Sequence, residues 1–169
     1  MNRERNPVQS PDPTLRHALR HVVRAFSAKM SGRLAEHGVS DAEYVSMFAL
    51  RRIPNMSNAD LSRWTGVSPQ GTNEVLKSLI ASGMVERHPA PDHGRILQAC
   101  LTERGEEVIA ACEDAANALE AEMCSGLQQH EVTVLEDLLR RCAEGLGAPI
   151  RDGHIPPVHL ARSSSRPRA

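Results

Sequence analysis

Two helix starts lying close together constrain this chain more than any other feature of its sequence. The first is Ser57-Asn58-Ala59-Asp60 and the second is Ser68-Pro69. A serine hydroxyl before a helix accepts a free backbone N–H, an acidic residue three positions on closes a capping box, and proline suits the first helical position. The first helix therefore has room for about two turns before Gly66. The second follows at once after Gly66-Val67-Ser68. Its apolar stripe is Thr72, Val75, Leu76, Leu79 and Ile80, and Gly83 closes it. Two short helices joined by so tight a turn form a helix-turn-helix, whose second helix presents its N-terminal residues to base edges in a major groove. With the stripe turned inward, Pro69, Gln70, Asn73, Glu74 and Lys77 face out. Glutamine and asparagine suit adenine, and lysine suits guanine or phosphate. The competing reading is a solvated helix face.

The same stretch, Gly66-x4-Gly71-Thr72, has the glycine spacing of a phosphate-binding loop. Such a loop needs a lysine where Thr72 stands and a buried strand before it. Neither is present, so that reading is excluded. Gly71 is instead expected to let the backbone approach DNA closely.

The flanks extend the pattern. Met84 to His88 reads as a short strand, Pro89 to Gly94 as a turn, and Arg95 to Leu101 as a returning strand. A helix-turn-helix followed by such a hairpin is a winged helix. Arg95 stands where a wing residue enters a narrow minor groove. His93 is placed against the DNA backbone or in solvent, and Asp92 as a residue orienting the wing. Upstream, Thr14 to about His37 carries Leu15, Leu19, Val22, Val23, Phe26, Met30 and Leu34 at helical spacing, with Asp12-Pro13 as its start and Gly38 as its end. Ser40-Asp41-Ala42-Glu43 is a further capping box, with Val39 and Tyr44 as its hydrophobic staple, opening a helix to Arg52. Downstream, Thr102 caps a long helix bearing Val108, Ile109, Cys112, Ala116, Leu119, Met123 and Leu127. Val134, Leu135, Leu138, Leu139 and Cys142 mark a last one.

The chain resembles the MarR (multiple antibiotic resistance regulator) family of winged-helix transcriptional regulators. The resemblance rests on Asn58 to Gly105, above all on "GVSPQ", "SGMVER", the Gly-Arg wing and "LTERG". It implies a mainly α fold with a small β wing, dimerising through its N- and C-terminal helices. It also implies a regulator, most often a repressor, that binds a pseudo-palindromic double-stranded operator as a homodimer and is released by a small-molecule effector. The DNA-contacting residues would be Ser68, Pro69, Gln70, Gly71, Asn73, Lys77, His93 and Arg95. The family's effector pocket would fall to Phe26, Met30, Tyr44, Met47 and Phe48, which also read as plain core. The spacing Asp92-His93-Gly94-Arg95 is one residue longer than the family's Asp-x-Arg wing.

Charge supports the arrangement. The net charge is only −1, but residues 106–147 hold two Lys/Arg against ten Asp/Glu, while residues 1–53 hold nine against five. One end can face a polyanion and the other cannot. The acidic helices carry apolar stripes without an evident partner in so small a domain, so a symmetry mate is expected to cover them. Arg16, Arg20 and Arg24 line one side of the first helix and are expected to pair with those acidic helices.

The expected organisation is a disordered arm over 1–13, one winged-helix domain over 14–147, and a disordered basic tail over 148–169. Within the domain, about 41–102 bind DNA, and about 14–37 and 103–146 dimerise. No apolar run approaches the ~20 residues of a membrane span, and the N-terminal residues lack the apolar core of a secretory signal. A cytoplasmic location is expected. The four cysteines, Cys100, Cys112, Cys124 and Cys142, show no C-x-x-C spacing. Cys112 and Cys124 read as small buried hydrophobes. His17 and His21 could chelate a metal but lack a further ligand. No cofactor, metal site or catalytic constellation is expected, and hence no enzyme. The alternative to a DNA-binding regulator is a winged-helix protein-interaction module.

Overall fold

The computed structural model describes residues 14–91 and 93–147. The Asp12-Pro13 helix start, the arm over 1–13, the tail over 148–169 and Asp92 lie outside the described residues. Six helices and three strands follow one another: α1 (Leu15–Glu36), α2 (Asp41–Arg52), β1 (Met56–Ser57), α3 (Asn58–Thr65), α4 (Pro69–Ala81), β2 (Val85–Ala90), β3 (His93–Leu101), α5 (Glu103–Met123) and α6 (Gln129–Gly145). The expected mainly α winged helix is the fold observed.

The helix boundaries follow from their caps. Ser40 accepts from the Glu43 N–H while the Glu43 carboxylate accepts from the Ser40 N–H. Burial raises the Glu43 pKa, but hydrogen bonds from Ser78 and Ser40 outweigh it and leave the carboxyl below its ordinary value. The N-cap of α1 is Thr14, whose hydroxyl bonds Nδ1 of His17 at 3.0 Å instead of a backbone N–H.

Two sheet features differ from the sequence expectation. The sheet has three antiparallel strands in the order β1-β3-β2, because Met56 and Ser57 pair with Ala99 and Gln98. The turn of the wing is also shorter than 89–94, since β2 continues to Ala90 and pairs there with His93 after a register shift at Pro89/Ala90.

The core is aliphatic, as four aromatic residues require. Leu34, Met47, Leu50, Leu61, Leu76, Leu79, Ile109 and Cys112 are fully buried, drawn from α1 to α5. The α4 stripe is narrower than expected, because Ile80 remains exposed. No residue of α6 is buried, and Leu15, Leu19, Val22 and Val23 on α1 are also exposed.

At the start of α5, a Cβ on Gly105 would stand 2.0 Å from the Met84 carbonyl oxygen. The same corner is closed by Thr102, whose N–H donates to that oxygen at 3.1 Å and whose hydroxyl donates to the Gly83 carbonyl at 2.7 Å. "LTERG" therefore locks the returning strand to α5.

Ion pairs join the helices. Arg51 on α2 meets Glu113 and lies 3.4 Å from Glu106, both on α5. Lys29 and Arg33 on α1 converge on Glu122 of α5. Arg16, Arg20 and Arg24, expected to pair with the acidic helices at the dimer end, are exposed and make no ion pair among the described residues of this one chain.

Candidate nucleic-acid interface

α3 begins with the second capping box, Ser57 and Asp60. Hydrogen bonds from the Ser57 hydroxyl, and then from Arg63, hold the Asp60 carboxyl below its ordinary pKa. Gly66 ends α3 in the left-handed region at φ 69°, a conformation glycine enters without a Cβ penalty. The turn is then tied back on both sides. The Ser62 hydroxyl donates to the Val67 carbonyl at 2.7 Å, and the Val67 N–H donates to the buried Thr65 hydroxyl at 3.3 Å. Asn58 Nδ2 donates to the Pro69 carbonyl at 3.2 Å, linking the start of α3 to the start of α4.

α4 starts where the sequence places it. Ser68 accepts from the Gly71 N–H at 3.1 Å, and Pro69 takes the first position. Thr72, Leu76 and Leu79 are buried against the body of the domain. Ser68, Pro69, Gln70, Glu74 and Lys77 are exposed together on the opposite side. Asn73 is half-buried, with its Oδ1 3.5 Å from Nη2 of Arg87 on β2.

Gly71 has a nearer reason than an approach to DNA. A Cβ there would lie 2.9 Å from Cγ1 of Val67 and 3.3 Å from the Ser68 hydroxyl. The first turn of α4 presses on the turn before it. His93 opens β3 opposite Ala90, and Arg95 follows two residues along the strand; their side chains lie outside what the structure describes.

The expected effector residues are not brought together as an open lining. Met30 and Met47 belong to the buried core. Tyr44, Phe48 and Trp64 form a chain of tilted rings with centroids 6.3 and 6.2 Å apart, and the Arg52 guanidinium lies 5.2 Å from the Phe48 centroid. Burial, followed by the charges of Glu113 and Cys112, pushes the Tyr44 pKa up to about 12. The reason is tertiary: α1, α2 and α5 pack closely enough for the methionines to fill the space between them. A shallow cleft of about 200 Å³ opens elsewhere, between α1 and α5, lined by Val22, Ala25, Phe26, Lys29, Leu119, Glu122 and Met123. Only Phe26 is common to both sets.

Of the cysteines, Cys112 is buried, Cys100 and Cys124 are half-buried and Cys142 is exposed. Burial, and then a hydrogen bond to Glu86, pushes the Cys100 thiol up, which disfavours the reactive thiolate. Among the described residues no group of three metal-ligating side chains converges, and no helix is long and apolar enough to cross a membrane.

Sequence reasoning missed Arg87, Asn58 and the close approach at Gly105. The alternation in Met84-Val85-Glu86-Arg87 carried the signal for Arg87, which shares the face of Val85.

A family model described as "MarR family" matches residues 37–96. The chain is 31% identical to the HTH-type transcriptional repressor Rv2887 of Mycobacterium tuberculosis over 140 residues, covering 81% of this chain and 96% of that protein. A crystal structure of a MarR family transcription regulator superposes with a TM-score of 0.72 at 22% identity, over 77% of this chain and 86% of the other. The Mycobacterium tuberculosis MarR family protein Rv2887, solved in complex with salicylic acid, superposes with a TM-score of 0.62 at 29% identity, over 78% of this chain and 97% of the other.

Proposed function

The chain belongs to the MarR family, and from that premise we propose that it is a sequence-specific DNA-binding repressor released by a small-molecule effector. It is not an enzyme. The observation that carries this reading is the exposed start of α4, where Pro69, Gln70 and Lys77 project from a helix anchored by the Ser68 cap and by buried Thr72, Leu76 and Leu79. Gln70 and Asn73 are the proposed base readers. Lys77, Ser68 and the wing residues His93 and Arg95 supply backbone or minor-groove contacts.

The chain acts as a homodimer. The unburied stripe of α6, from Val134 to Leu139, and the exposed face of α1 from Leu15 to Val23 give a second copy its seat. The recognition helices then fall on half-sites about one helical turn, ~10 bp, apart. The domain spans 14–147, with DNA binding in about 41–102 and dimerisation in about 14–37 and 103–146. Such a protein works in the cytoplasm, beside the chromosome. The related repressor solved with salicylic acid supports an effector of similar chemistry, a small aromatic carboxylate.

Fluorescence anisotropy with duplexes tiling the DNA beside its own gene tests the reading. One duplex should bind more tightly than the rest, with affinity falling steeply as salt rises, because phosphate contacts release counterions. Equal, salt-insensitive affinity for every duplex would refute it.

A further inference from the structure

Asn73 differs from its neighbours on the reading face of α4. Gln70, Glu74 and Lys77 are exposed, whereas Asn73 is half-buried and its Oδ1 accepts from Nη2 of Arg87 at 3.5 Å. Arg87 reaches it from another element. On β2, Val85 is buried and Glu86 is exposed, and side chains two residues apart on a strand share a face. Arg87 therefore points toward the helices. Its cross-strand partner is Ala99, small and buried, so no bulky neighbour blocks its path to α4. A guanidinium only donates hydrogen bonds, so the asparagine atom facing it is the oxygen, and the two ends of the carboxamide are thereby assigned.

We propose that Arg87 is a positioning residue that determines base specificity through Asn73. It holds the carboxamide in one orientation, leaving Nδ2 and the second lone pair of Oδ1 for the N7 and N6 edge of an adenine. That pairing needs one donor and one acceptor side by side, and an amide fixed before DNA arrives loses less freedom on binding. Asn73 is thus the pre-oriented reader, while the exposed Gln70 beside it has no such brace among the described residues. The inference rests on the DNA-binding reading above and adds a determinant that lies off the recognition helix.

Duplexes enriched by the wild-type protein from a random library supply the probe. Affinities are then measured for the enriched duplex, for its single-base-pair variants and for a non-specific duplex of the same length. The proteins are wild type, Arg87→Met, Arg87→Lys, Asn73→Ala and the Arg87→Met/Asn73→Ala double variant, each checked for an unchanged thermal midpoint. Wild type should enrich an adenine whose replacement weakens binding by roughly tenfold. Arg87→Met should shrink that ratio several-fold while leaving non-specific affinity and the other positions unchanged. Arg87→Lys keeps the charge without the planar fork, and should shrink it too. In the Asn73→Ala background the Arg87 substitution should change nothing further at that position. An unchanged preference in Arg87→Met would overturn the proposal. So would a uniform loss on every duplex, which would make Arg87 a phosphate contact. If wild type enriches no sequence at all, the DNA-binding reading itself falls, and this inference with it.

Discussion

The α3–α4 unit, on one side, and α6 with the start of α1, on the other, use similar amphipathic helices to opposite effect. In α3–α4 the capping groups at both helix starts and the turn between them are met within the chain: Ser57, Asp60, Ser62, Thr65, Ser68 and Asn58 each hold a backbone group, and Leu61, Leu76 and Leu79 are buried. In α6 nothing is buried, and Leu138 and Leu139 are 48% and 43% exposed. The first region meets its backbone caps alone, leaves only the buried Asn58 Oδ1 and Thr72 hydroxyl without a partner among the described residues, and has a polar free face. The second is incomplete alone, and its free face is apolar. The reading element is therefore built locally, whereas α6 and the start of α1 leave their apolar faces to the second copy proposed above.

The largest effect is expected at the joint between the two regions, where β3 passes into α5. Gly105→Ala puts a methyl against the Met84 carbonyl, and backbone cannot yield as a side chain does. A loss of about 3 kcal/mol is expected in urea unfolding, the upper end for overpacking. A variant as stable as wild type would mean that the strand and α5 do not approach as described.

Next is the incomplete half. Leu138→Glu should leave the helical circular dichroism of the subunit intact but shift sedimentation toward the monomer, at a cost of roughly 2 kcal/mol per chain for the lost apolar burial. An unchanged dimer would place the interface elsewhere.

A smaller effect is expected at the caps. Ser57→Ala should cost about 1 kcal/mol, and its effect should be independent of protein concentration. Any dependence on concentration would blur the division between the two regions.

The smallest effect concerns pH. The Asp60 carboxyl is depressed by Ser57 and Arg63, so its contribution is present above the ordinary carboxylate value and is lost as pH falls through the lower folded value. Asp60→Asn should lower stability slightly at neutral pH and flatten the acid limb, so that the two profiles converge below the folded value of the carboxyl. A larger change at neutral pH would show that the box matters for more than its charge.

Legibility followed the same division. The capped starts at Ser40, Ser57, Ser68 and Thr102 were readable because a cap depends on residues three positions apart. β1 was not, since Met56 and Ser57 become a strand only by meeting Ala99 and Gln98. The partners of Glu122 within the chain were not legible, because helix crossing, not composition, brings Lys29 and Arg33 to it. Met30 and Met47 read both as core and as pocket lining, and only the packing of the helices puts them in the core: periodicity gives a helix its buried side but not the distance to its neighbour. On α4, Gln70 and Lys77 were legible as exposed residues. The hold of Arg87 on Asn73 was not, because it joins two elements.

The most direct test of the division between reading and pairing is the stoichiometry on DNA, measured by sedimentation of the full chain with a duplex it enriches from a random library. Two chains per duplex are expected, on half-sites about one helical turn apart, with Leu138→Glu losing tight binding while its α4 is unaltered. One chain per duplex, bound as tightly by Leu138→Glu as by wild type, would contradict it.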